Sequence, residues 1–430
     1  MKNIILGAGI AGITASYELN QNNIESIILE KNRSWGGLLD NFTIDGFRFD
    51  KFIHLSFTED NFVNDIFYKT PLIKHLPISS NYYKGIWLKH PAQNNLFPLN
   101  EEEKKHIVDD FISRKDIKID EIKNYEDWLR VQYGNYFSEN FPMIYTEKYW
   151  TLQAKDLETK WVGSRLYKPT LEEVIQGCET DMTPNTYYAK EMRYPQKGGY
   201  KSFLKPLIES ATIFTNNKIA SIDIENKIIY NEIGDIYPYD NLISSLPLPE
   251  ICRLIKNIPE KVMSASKKLN YTSGYLISLG FNKPDIADKL WYYIYDKDIL
   301  PARVYSPSLK SPDNAPTGCS SLQAELYFNK GVKLNESDNE ILEATIEKFV
   351  EMDLFNKEDL IVKDIRTEKY ANVIFDHFIY ENREIVLNYL DQIGIISIGR
   401  FGEWDYFWSD QSMVSGRDGA NRLINKIRII

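Results

Sequence analysis

The sequence contains few cysteines, and none of them stands in a spacing typical of metal binding or redox chemistry. Cys178, Cys252 and Cys319 are the three cysteines among 430 residues. They lie far apart and form no CxxC pair, so the sequence predicts neither a disulfide framework nor a metal site. Such usage is typical of a reducing compartment, and we expect a cytoplasmic location.

Long hydrophobic runs and an excess of basic charge are also missing. No apolar run approaches the roughly 18 residues that span a bilayer, so we expect no integral membrane segment. Glycines interrupt the apolar N-terminal stretch, which makes it a poor signal peptide. The net charge of -10 argues against nonspecific binding of nucleic acid. An anionic ligand must therefore be held by locally placed arginines.

The chain has the length and composition of a large folded enzyme. Its 430 residues predict two or three domains, and a hydrophobic fraction of 43% is sufficient for a substantial core. No sequence repeat or low-complexity tract is evident, so the domains are expected to be interleaved along the chain. A homo-oligomeric assembly is compatible with this composition.

The N-terminal 37 residues carry the most informative motif. An apolar strand runs into Gly7, Gly9 and Gly12, which predict a tight turn, a close backbone approach to a pyrophosphate and a helix-to-strand contact. A helix is predicted from Ile10 onward, with its free N–H groups directed at that phosphate. The next strand ends at Glu30, whose carboxylate is placed to accept hydrogen bonds from a ribose hydroxyl. This order predicts a dinucleotide-binding βαβ unit.

The residues at the end of the second strand and after it indicate which dinucleotide cofactor is bound. Glu30, Arg33 and the pair Gly36 and Gly37 form a continuation that resembles the FAD-binding flavoproteins of the glutathione reductase type. The resemblance implies FAD, and no cysteine or histidine motif for covalent flavin attachment is evident. Lys31 and Leu38 are included among the cofactor-binding positions of this unit.

The remaining patterns predict an α/β fold with interleaved domains. Residues 1–80, 190–250 and 375–430 are assigned to a discontinuous, Rossmann-like FAD-binding domain. Residues 81–189 are predicted to be mainly helical, because EEEKKHIVDDFISR and similar segments place apolar residues three and four apart. Residues 251–374, which include TSGYLISLGF and CSSLQAELYF, are predicted to form an antiparallel β-sheet substrate domain.

A more specific resemblance extends nearly from end to end. The sequence resembles the flavin-dependent UDP-galactopyranose mutases, particularly the eukaryotic-type branch and its bacterial relatives. The supporting segments, in the order of the family, are FDKFIHLSF (49–57), HPAQNNL (90–96), NYEDWLRVQYG (124–134), IYTEKYWTLQAKDLETKWVGSRL (144–166), RYPQKGGY (193–200), WYYIYDKDILPARVYSP (291–307) and GRFGEWDYFWSDQS (399–412). The last segment is the most distinctive of them.

This resemblance implies a reaction. Such mutases interconvert six-membered and five-membered ring forms of a nucleotide-linked sugar for the synthesis of cell-surface polysaccharides. They use reduced FAD without net redox change, and the flavin N5 attacks the anomeric carbon of the sugar. The implied substrate is a nucleotide-diphosphate sugar, the implied cofactor is noncovalent FAD in its reduced form, and NAD(P)H is a candidate external reductant.

The resemblance also implies roles for individual residues. His54, Arg165 and Arg303 match catalytic positions, and the two arginines would grip the diphosphate by bidentate hydrogen bonds. The further substrate-binding positions are His90, Gln93, Thr146, Trp150, Tyr293, Asn372 and Tyr406. The further cofactor-binding positions are His54, Ile219, Gly399, Arg400, Asp410, Gln411 and Ser412. Trp150 and Tyr293 are equally compatible with a place in the hydrophobic core.

Several positions depart from the family pattern. Phe52 and Ile53 precede His54 where the flavin-side loop of the family reads Gly-Gly-His. His90, Thr146 and Asn372 replace residues that contact substrate, and Lys310 is a candidate replacement for a further tyrosine. Each of these substrate-side replacements retains a hydrogen-bonding group. The pattern suggests a nucleotide sugar other than UDP-galactose, or a related flavin reaction on a similar anionic substrate.

Two other classes of protein remain compatible with the sequence. The same FAD fold carries amine oxidases and enzymes similar to protoporphyrinogen oxidase, which take hydride from substrate and pass electrons to oxygen. Those enzymes would not need two diphosphate arginines. A flavin-binding scaffold without turnover is the other alternative, which the altered loop at Phe52 and Ile53 permits.

Overall fold

The computed structural model describes residues 1–114, 121–163, 165–184, 186, 189–332 and 334–429. The strands of these ranges are β1 (Asn3–Leu6), β2 (Ser26–Leu29), β3 (Asn41–Ile44), β4 (Phe47–Asp50), β5 (Leu72–His75), β6 (Ser79–Tyr83), β7 (Ile86–Lys89), β8 (Met192–Pro195), β9 (Thr212–Phe214), β10 (Ile219–Asp223), β11 (Ile228–Asn231), β12 (Ile236–Pro238), β13 (Asn241–Ser244), β14 (Tyr271–Phe281), β15 (Trp291–Ile294), β16 (Arg303–Tyr305), β17 (Ser320–Asn329), β18 (Leu360–Val373) and β19 (Ile395–Ser397). The helices are α1 (Ile10–Gln21), α2 (Asn61–Phe67), α3 (Glu101–Ser113), α4 (Tyr125–Tyr133), α5 (Asn135–Asn140), α6 (Pro142–Trp150), α7 (Leu171–Glu179), α8 (Lys205–Ile208), α9 (Leu248–Leu254), α10 (Glu260–Lys268), α11 (Pro307–Lys310), α12 (Asp338–Glu351), α13 (Ile379–Gln392), α14 (Gly399–Gly402) and α15 (Ser409–Ile429).

A five-stranded parallel sheet contains the N-terminal strand at its centre. Its order is β19-β13-β1-β2-β9, so β1 is hydrogen-bonded to β2 on one side and to β13 on the other. The strand is fully buried, which explains the apolar run Ile4, Ile5 and Leu6 that follows Asn3. Helices α1 and α15 pack together beside it, and a Cβ at Gly416 would lie 2.3 Å from the Ala11 carbonyl oxygen. Such a close helix crossing requires glycine at position 416.

A seven-stranded sheet forms the second large layer. Its order is β18-β14-β17-β16-β15-β6-β7, and its neighbours are antiparallel except for β15 and β6. The long strands β14 and β17 are paired over ten residues, from Thr272 opposite Asn329 to Phe281 opposite Ser320. Helix α12 contributes Ile346 and Phe349 to a hydrophobic cluster with residues of this sheet. The other face of the sheet is thereby left for polar side chains.

Helices α3 to α7 all lie in the region between β7 and β8. Asn100 and Asn124 accept hydrogen bonds from backbone N–H groups in the first turns of α3 and α4, as good N-cap residues do. Gly134 has a φ of +79° and separates α4 from α5. Aromatic side chains fill the interior, with Phe137 and Phe141 stacked at 4.5 Å between ring centroids.

The predicted fold class is confirmed. A Rossmann-like parallel sheet, a helical region and a largely antiparallel sheet are present and interleaved along the chain. Strands β6 and β7 belong to the seven-stranded sheet, although the predicted helical region starts at residue 81, inside β6. The domain boundaries stay a prediction. Among the helices in the described ranges, none is both long and apolar enough to cross a membrane.

Lys310 does not take the substrate-side place that was considered for it. Its ammonium group lies 2.9 Å from a carboxylate oxygen of Asp50, and both side chains are fully buried. The same carboxylate accepts hydrogen bonds from the hydroxyl of Tyr194 and the backbone N–H of Tyr200. The lysine is therefore a structural charge of the core, because a buried carboxylate requires a close positive partner.

Candidate functional site

A cavity of about 800 Å³ lies between the two large sheets. Residues that follow four strands of the parallel sheet line one wall, namely Gly7, Glu30, Ser245 and Gly399. The other wall consists of side chains from the seven-stranded sheet, namely Tyr293, Arg303, Tyr327 and Asn372. In doubly wound folds, ligands bind outside the carboxyl ends of the parallel strands, and this cavity occupies that place.

The glycine turn after β1 is shaped for a phosphate. A Cβ at Gly9 would meet nothing within 4 Å, so the backbone borders open space there. By contrast, a Cβ at Gly12 would lie 2.0 Å from the carbonyl oxygen of Gly7, which fixes glycine where α1 packs on the strand. No side chain caps α1, and its first turn contains no acidic residue. The helix N-terminus can therefore receive an anion.

Glu30 stands at the end of β2 and is buried, with 6% of its surface exposed. One carboxylate oxygen accepts a hydrogen bond of 2.8 Å from the backbone N–H of Ala8, and the other accepts one of 2.8 Å from Asn32. These bonds fix the carboxylate against the glycine turn at the wall of the cavity. Each oxygen retains a second lone pair, with which it can accept a hydrogen bond from a ribose hydroxyl.

Most of the predicted cofactor positions border this cavity. These are Gly7, Gly9, Glu30, Lys31, Gly36, Gly37, Leu38, His54, Ile219, Gly399, Arg400, Asp410 and Ser412. Gly12 lies behind the turn, as its packing role requires. Gln411 is not among the lining residues, because its side-chain oxygen accepts a hydrogen bond of 2.9 Å from the backbone N–H of Trp408 and so caps the start of α15. The described residues contain no cluster of His, Cys, Asp and Glu that could hold a metal ion.

His54 lines the cavity and is held in a neutral state. Burial lowers the pKa of its imidazole from 6.5 to about 4, and the carboxylate of Asp50 only partly offsets this effect. The ring packs 5.2 Å from that of Tyr200. Its Nδ1 atom is buried and has no hydrogen-bond partner among the described residues. At neutral pH the uncharged imidazole can donate one hydrogen bond through its N–H and accept one through its other ring nitrogen, which is also the atom that a proton would enter.

Arg303 lines the cavity and forms an ion pair with a buried carboxylate. It is the cross-strand neighbour of Glu325, and its Nε donates a hydrogen bond to that fully buried carboxylate. Its Nη2 donates to the hydroxyl of Tyr327 at 3.3 Å. Burial opposes the charge of Arg303, but Glu325 and the neighbouring tyrosines outweigh this effect and raise its pKa. The guanidinium is therefore fixed in position and permanently charged.

Arg165 lies behind the cavity wall rather than on it. Its guanidinium donates hydrogen bonds of 2.8 and 2.9 Å to the backbone carbonyl oxygens of Trp161 and Tyr406. Its central carbon is 4.6 Å from the ring centroid of Tyr406 and 5.0 Å from that of Trp408. Burial is the largest cause of a lowered pKa at this arginine.

Arg400 approaches the same tyrosine and does border the cavity. It donates hydrogen bonds of 2.9 Å to the carbonyl oxygen of Phe407 and to the side-chain oxygen of Asn372, and its central carbon is 5.0 Å from the ring centroid of Tyr406. Throughout the described part of the chain, no carboxylate is hydrogen-bonded to Arg165 or Arg400. Two guanidinium groups thus flank Tyr406 without a paired negative charge.

Asn372 takes part in this cluster through its side-chain oxygen. The oxygen accepts hydrogen bonds from Arg400 and, at 3.1 Å, from the hydroxyl of Tyr149. Because an arginine can only donate, the oxygen must face Arg400 and the amide NH₂ must point the other way. Tyr149 was not identified from the sequence, although it borders the cavity next to Trp150 in α6.

The remaining predicted substrate-binding residues do not line the cavity themselves. His90 does not line the cavity, but its ring stacks 4.8 Å from that of Tyr293, which does. Trp150 belongs to the aromatic core and packs 5.4 Å from Tyr406. Gln93 donates a hydrogen bond to a backbone carbonyl oxygen in the helical region, and Thr146 donates one within its own helix. Neither of these two borders the cavity.

Tyr327, which lines the cavity, and the fully buried Glu325, which accepts a hydrogen bond from its hydroxyl, were also not identified from the sequence. They lie on β17, where polar and aromatic residues recur at every second position of a buried strand, from Gln323 through Glu325 to Tyr327. Side chains two residues apart share one face of a sheet, so this alternation was the available signal. A buried strand with one polar face indicates a functional wall rather than a hydrophobic layer.

Comparisons with known proteins agree with this architecture. Residues 5–69 match the family model of an NAD(P)-binding Rossmann-like domain. A crystal structure of reduced UDP-galactopyranose mutase is similar with a TM-score of 0.92 at 24% identity, and the match covers 99% of this chain and 95% of that chain.

Two oxidase structures are similar as well. A protein of Exiguobacterium sp. 255-15 assigned as a protoporphyrinogen oxidase has a TM-score of 0.77 at 15% identity, with 99% of each chain covered. A double mutant of putrescine oxidase has a TM-score of 0.66 at 13% identity, also with 99% of each chain covered. At these identities the comparisons show the fold, and the predicted resemblance to the mutases is confirmed at that level.

We expect acid to destabilise the protein through His54. Its pKa is about 4 in the folded state against an ordinary value of 6.5, so the unfolded chain binds the extra proton first as the pH falls. The contribution of neutral His54 to stability is complete above pH 6.5 and is lost progressively toward pH 4. In urea unfolding across this window, His54→Gln should flatten the pH dependence. The exposed His106 provides the control variant His106→Gln. An unchanged slope in His54→Gln would show that His54 does not carry this dependence.

Proposed function

We propose that the protein is an FAD-dependent enzyme that interconverts the pyranose and furanose forms of a nucleotide-diphosphate sugar. The observation that supports this best is the pair of guanidinium groups on Tyr406. Arg165 and Arg400 lie 4.6 and 5.0 Å from its ring centroid, and both give their hydrogen bonds to uncharged oxygens. Two unneutralised cations beside a cavity favour an anionic ligand.

The proposed cofactor fits the residues that are present. The open backbone at Gly9, the uncapped N-terminus of α1 and the fixed carboxylate of Glu30 suit a pyrophosphate and an adenosine ribose. A 2′-phosphate beside Glu30 would be repelled, which favours FAD over NADP. Reduced FAD, when bound, supplies nucleophilic catalysis at an anomeric carbon.

The chain itself has the tasks of binding and orientation. Arg303, permanently charged by its contact with Glu325, is placed to hold a diphosphate at the wall formed by the seven-stranded sheet. Tyr293 is its cross-strand neighbour and offers an aromatic face beside it. Neutral His54 faces the cavity from the loop after β4 and can exchange a proton there. These residues approach the cavity from different elements, and the proposed sugar lies between them.

An FAD-dependent oxidase or dehydrogenase is the second candidate. It is favoured by the fold similarity to the putrescine oxidase structure and by the replacement of the family glycines with Phe52 and Ile53. It does not by itself account for the uncompensated charges at Arg165 and Arg400. The two functions differ in their use of oxygen, and one assay separates them.

The first expectation is that the purified protein carries noncovalent FAD and that Gly9→Ala weakens its binding. The new methyl group enters open space in the structure, so folding should be unaffected while the pyrophosphate is displaced. We expect an affinity loss of about tenfold, or about 1.4 kcal/mol, in fluorescence titrations of apoprotein. Gly12→Ala is the contrasting variant, since its clash with Gly7 should lower stability instead. Equal FAD affinity in Gly9→Ala and wild type would contradict this assignment.

The reaction should require reduced flavin and should consume no oxygen. Protein reduced with dithionite or NADPH is incubated with UDP- and dTDP-hexoses, and the products are identified by NMR. A ring-isomerised nucleotide sugar formed over many turnovers per reduction is expected. Oxygen uptake that matches product formation, without an isomerised sugar, would instead establish the oxidase class.

Removal of Arg165 should weaken substrate binding and spare the cofactor. Arg165→Ala deletes one of the two charges on Tyr406; because Arg165 lies behind the cavity wall, its charge acts on the ligand at longer range, and we expect a loss of about 1–2 kcal/mol. Calorimetry with a nucleotide-diphosphate sugar measures the loss. Arg130→Ala is a suitable control, because Arg130 is paired with Glu126 and Glu139 on α4 and α5. Wild-type affinity in Arg165→Ala would remove Arg165 from the proposed anion site.

A further inference from the structure

The loop before His54 is docked on the seven-stranded sheet by three consecutive residues. The ammonium group of Lys51 lies 2.7 Å from a carboxylate oxygen of Glu368 on β18. The ring of Phe52 stacks on that of Tyr327 on β17, with 6.0 Å between centroids and 8° between planes. The backbone N–H of Ile53 donates a hydrogen bond of 2.7 Å to Glu325. The loop therefore crosses the sheet face rather than lying free in the cavity.

Phe52 has a backbone conformation that glycine adopts far more readily than a bulky residue. Its φ is +66°, in the left-handed region that bulky residues rarely adopt. Its ring is buried and fits over Gly274 on β14, where an added Cβ would lie only 2.8 Å from a ring carbon. Gly274 is also the cross-strand partner of Tyr327. The absence of a side chain at position 274 thus makes room for the aromatic ring.

Glu325 connects this docked loop to the substrate side of the cavity. One carboxylate oxygen accepts the hydrogen bond from Ile53, and the other accepts hydrogen bonds from Arg303 and from the hydroxyl of Tyr327. The side chain is fully buried, so water cannot replace either set of donors. One carboxylate therefore holds both the loop that carries His54 and the guanidinium of Arg303.

We propose that Phe52, Gly274 and Glu325 are positioning residues that set the distance between His54 and Arg303. The proposal rests on the proposed function, because those two residues are assigned there to the proton-exchanging side and the diphosphate side of one substrate. Small displacements of oriented groups are costly in catalysis. Side-chain packing on the sheet thus fixes the loop that carries His54 relative to the strand that carries Arg303.

The experiment is a double-mutant cycle between loop and sheet. Gly274→Ala pushes a methyl group into the Phe52 ring, so we expect kcat to fall on the order of tenfold and the flavin absorption spectrum to shift. Phe52→Gly removes the ring and tolerates the left-handed backbone. In the Phe52→Gly background, Gly274→Ala should have no further effect on kcat or on the spectrum. If Gly274→Ala acted by weakening β14 in general, it would lower kcat in the Phe52→Gly background as well.

Gly280→Ala provides the matched control on the same strand. A Cβ at Gly280 would lie 3.0 Å from the ring of Phe47, outside the residues that line the cavity. It should lower the thermal midpoint as Gly274→Ala does, but leave the kcat and the spectrum of the folded enzyme unchanged. Additive effects of Phe52→Gly and Gly274→Ala, or equal kcat losses in Gly274→Ala and Gly280→Ala, would overturn the proposal.

Glu325→Gln tests the connection from the sheet side. In Glu325→Gln an NH₂ group replaces one of the two carboxylate oxygens. The side chain can then accept the hydrogen bond from the Ile53 N–H or the one from Arg303, but not both. We expect either faster hydrogen exchange of the Ile53 amide or weaker binding of a UDP-hexose. No change in either measurement would overturn the role of Glu325. Amide exchange at Ile53 in the Gly274→Ala variant needs no bound flavin, so the docking is tested even where FAD binding or mutase turnover fails.

Discussion

The carboxyl ends of the parallel strands meet at one edge, and the whole site depends on this arrangement. Strand β1 lies between β2 and β13, and β19 follows at the edge of the sheet. Four turns that are distant in sequence are thereby brought together, after Leu6, Leu29, Ser244 and Ser397. These four turns form one wall of the cavity without any contribution from the seven-stranded sheet. The N-terminal motif becomes a binding site only because later strands complete this edge.

The arginines around the cavity are of two kinds. Arg303 is paired with a carboxylate on the neighbouring strand, so its position and charge are fixed before any ligand binds. Arg165 and Arg400 are held by carbonyl and amide oxygens and by the ring of Tyr406, so their charge is left for a ligand to balance. In a chain with a net charge of -10, such local surplus is the feature that selects anions.

The sequence predicted the architecture better than the contacts of single side chains. The glycine motif, the helical region and the strand-rich region follow from local periodicity and are present in the structure, although β6 and β7 belong to the seven-stranded sheet rather than to the helical region. Gln93, Thr146, Gln411 and Lys310 occupy positions that match substrate or cofactor residues, yet backbone groups or Asp50 already engage their polar atoms. Position along the chain does not show which neighbours compete for a donor, and that competition decides whether a side chain can reach a ligand.

The loop before His54 also shows that the sequence does not reveal contacts between distant residues, but here the hidden contact is favourable. The sequence shows Phe52 where the family has a glycine, and a bulky residue disfavours a positive φ. Phe52 nevertheless has a φ of +66°, and its ring packs over Gly274, a glycine more than two hundred positions away on β14. A departure that looks disruptive in one segment is thus compensated by a second residue that only the fold brings near. The altered loop is therefore not evidence against a functional flavin site, and the case for a scaffold without turnover loses its main support.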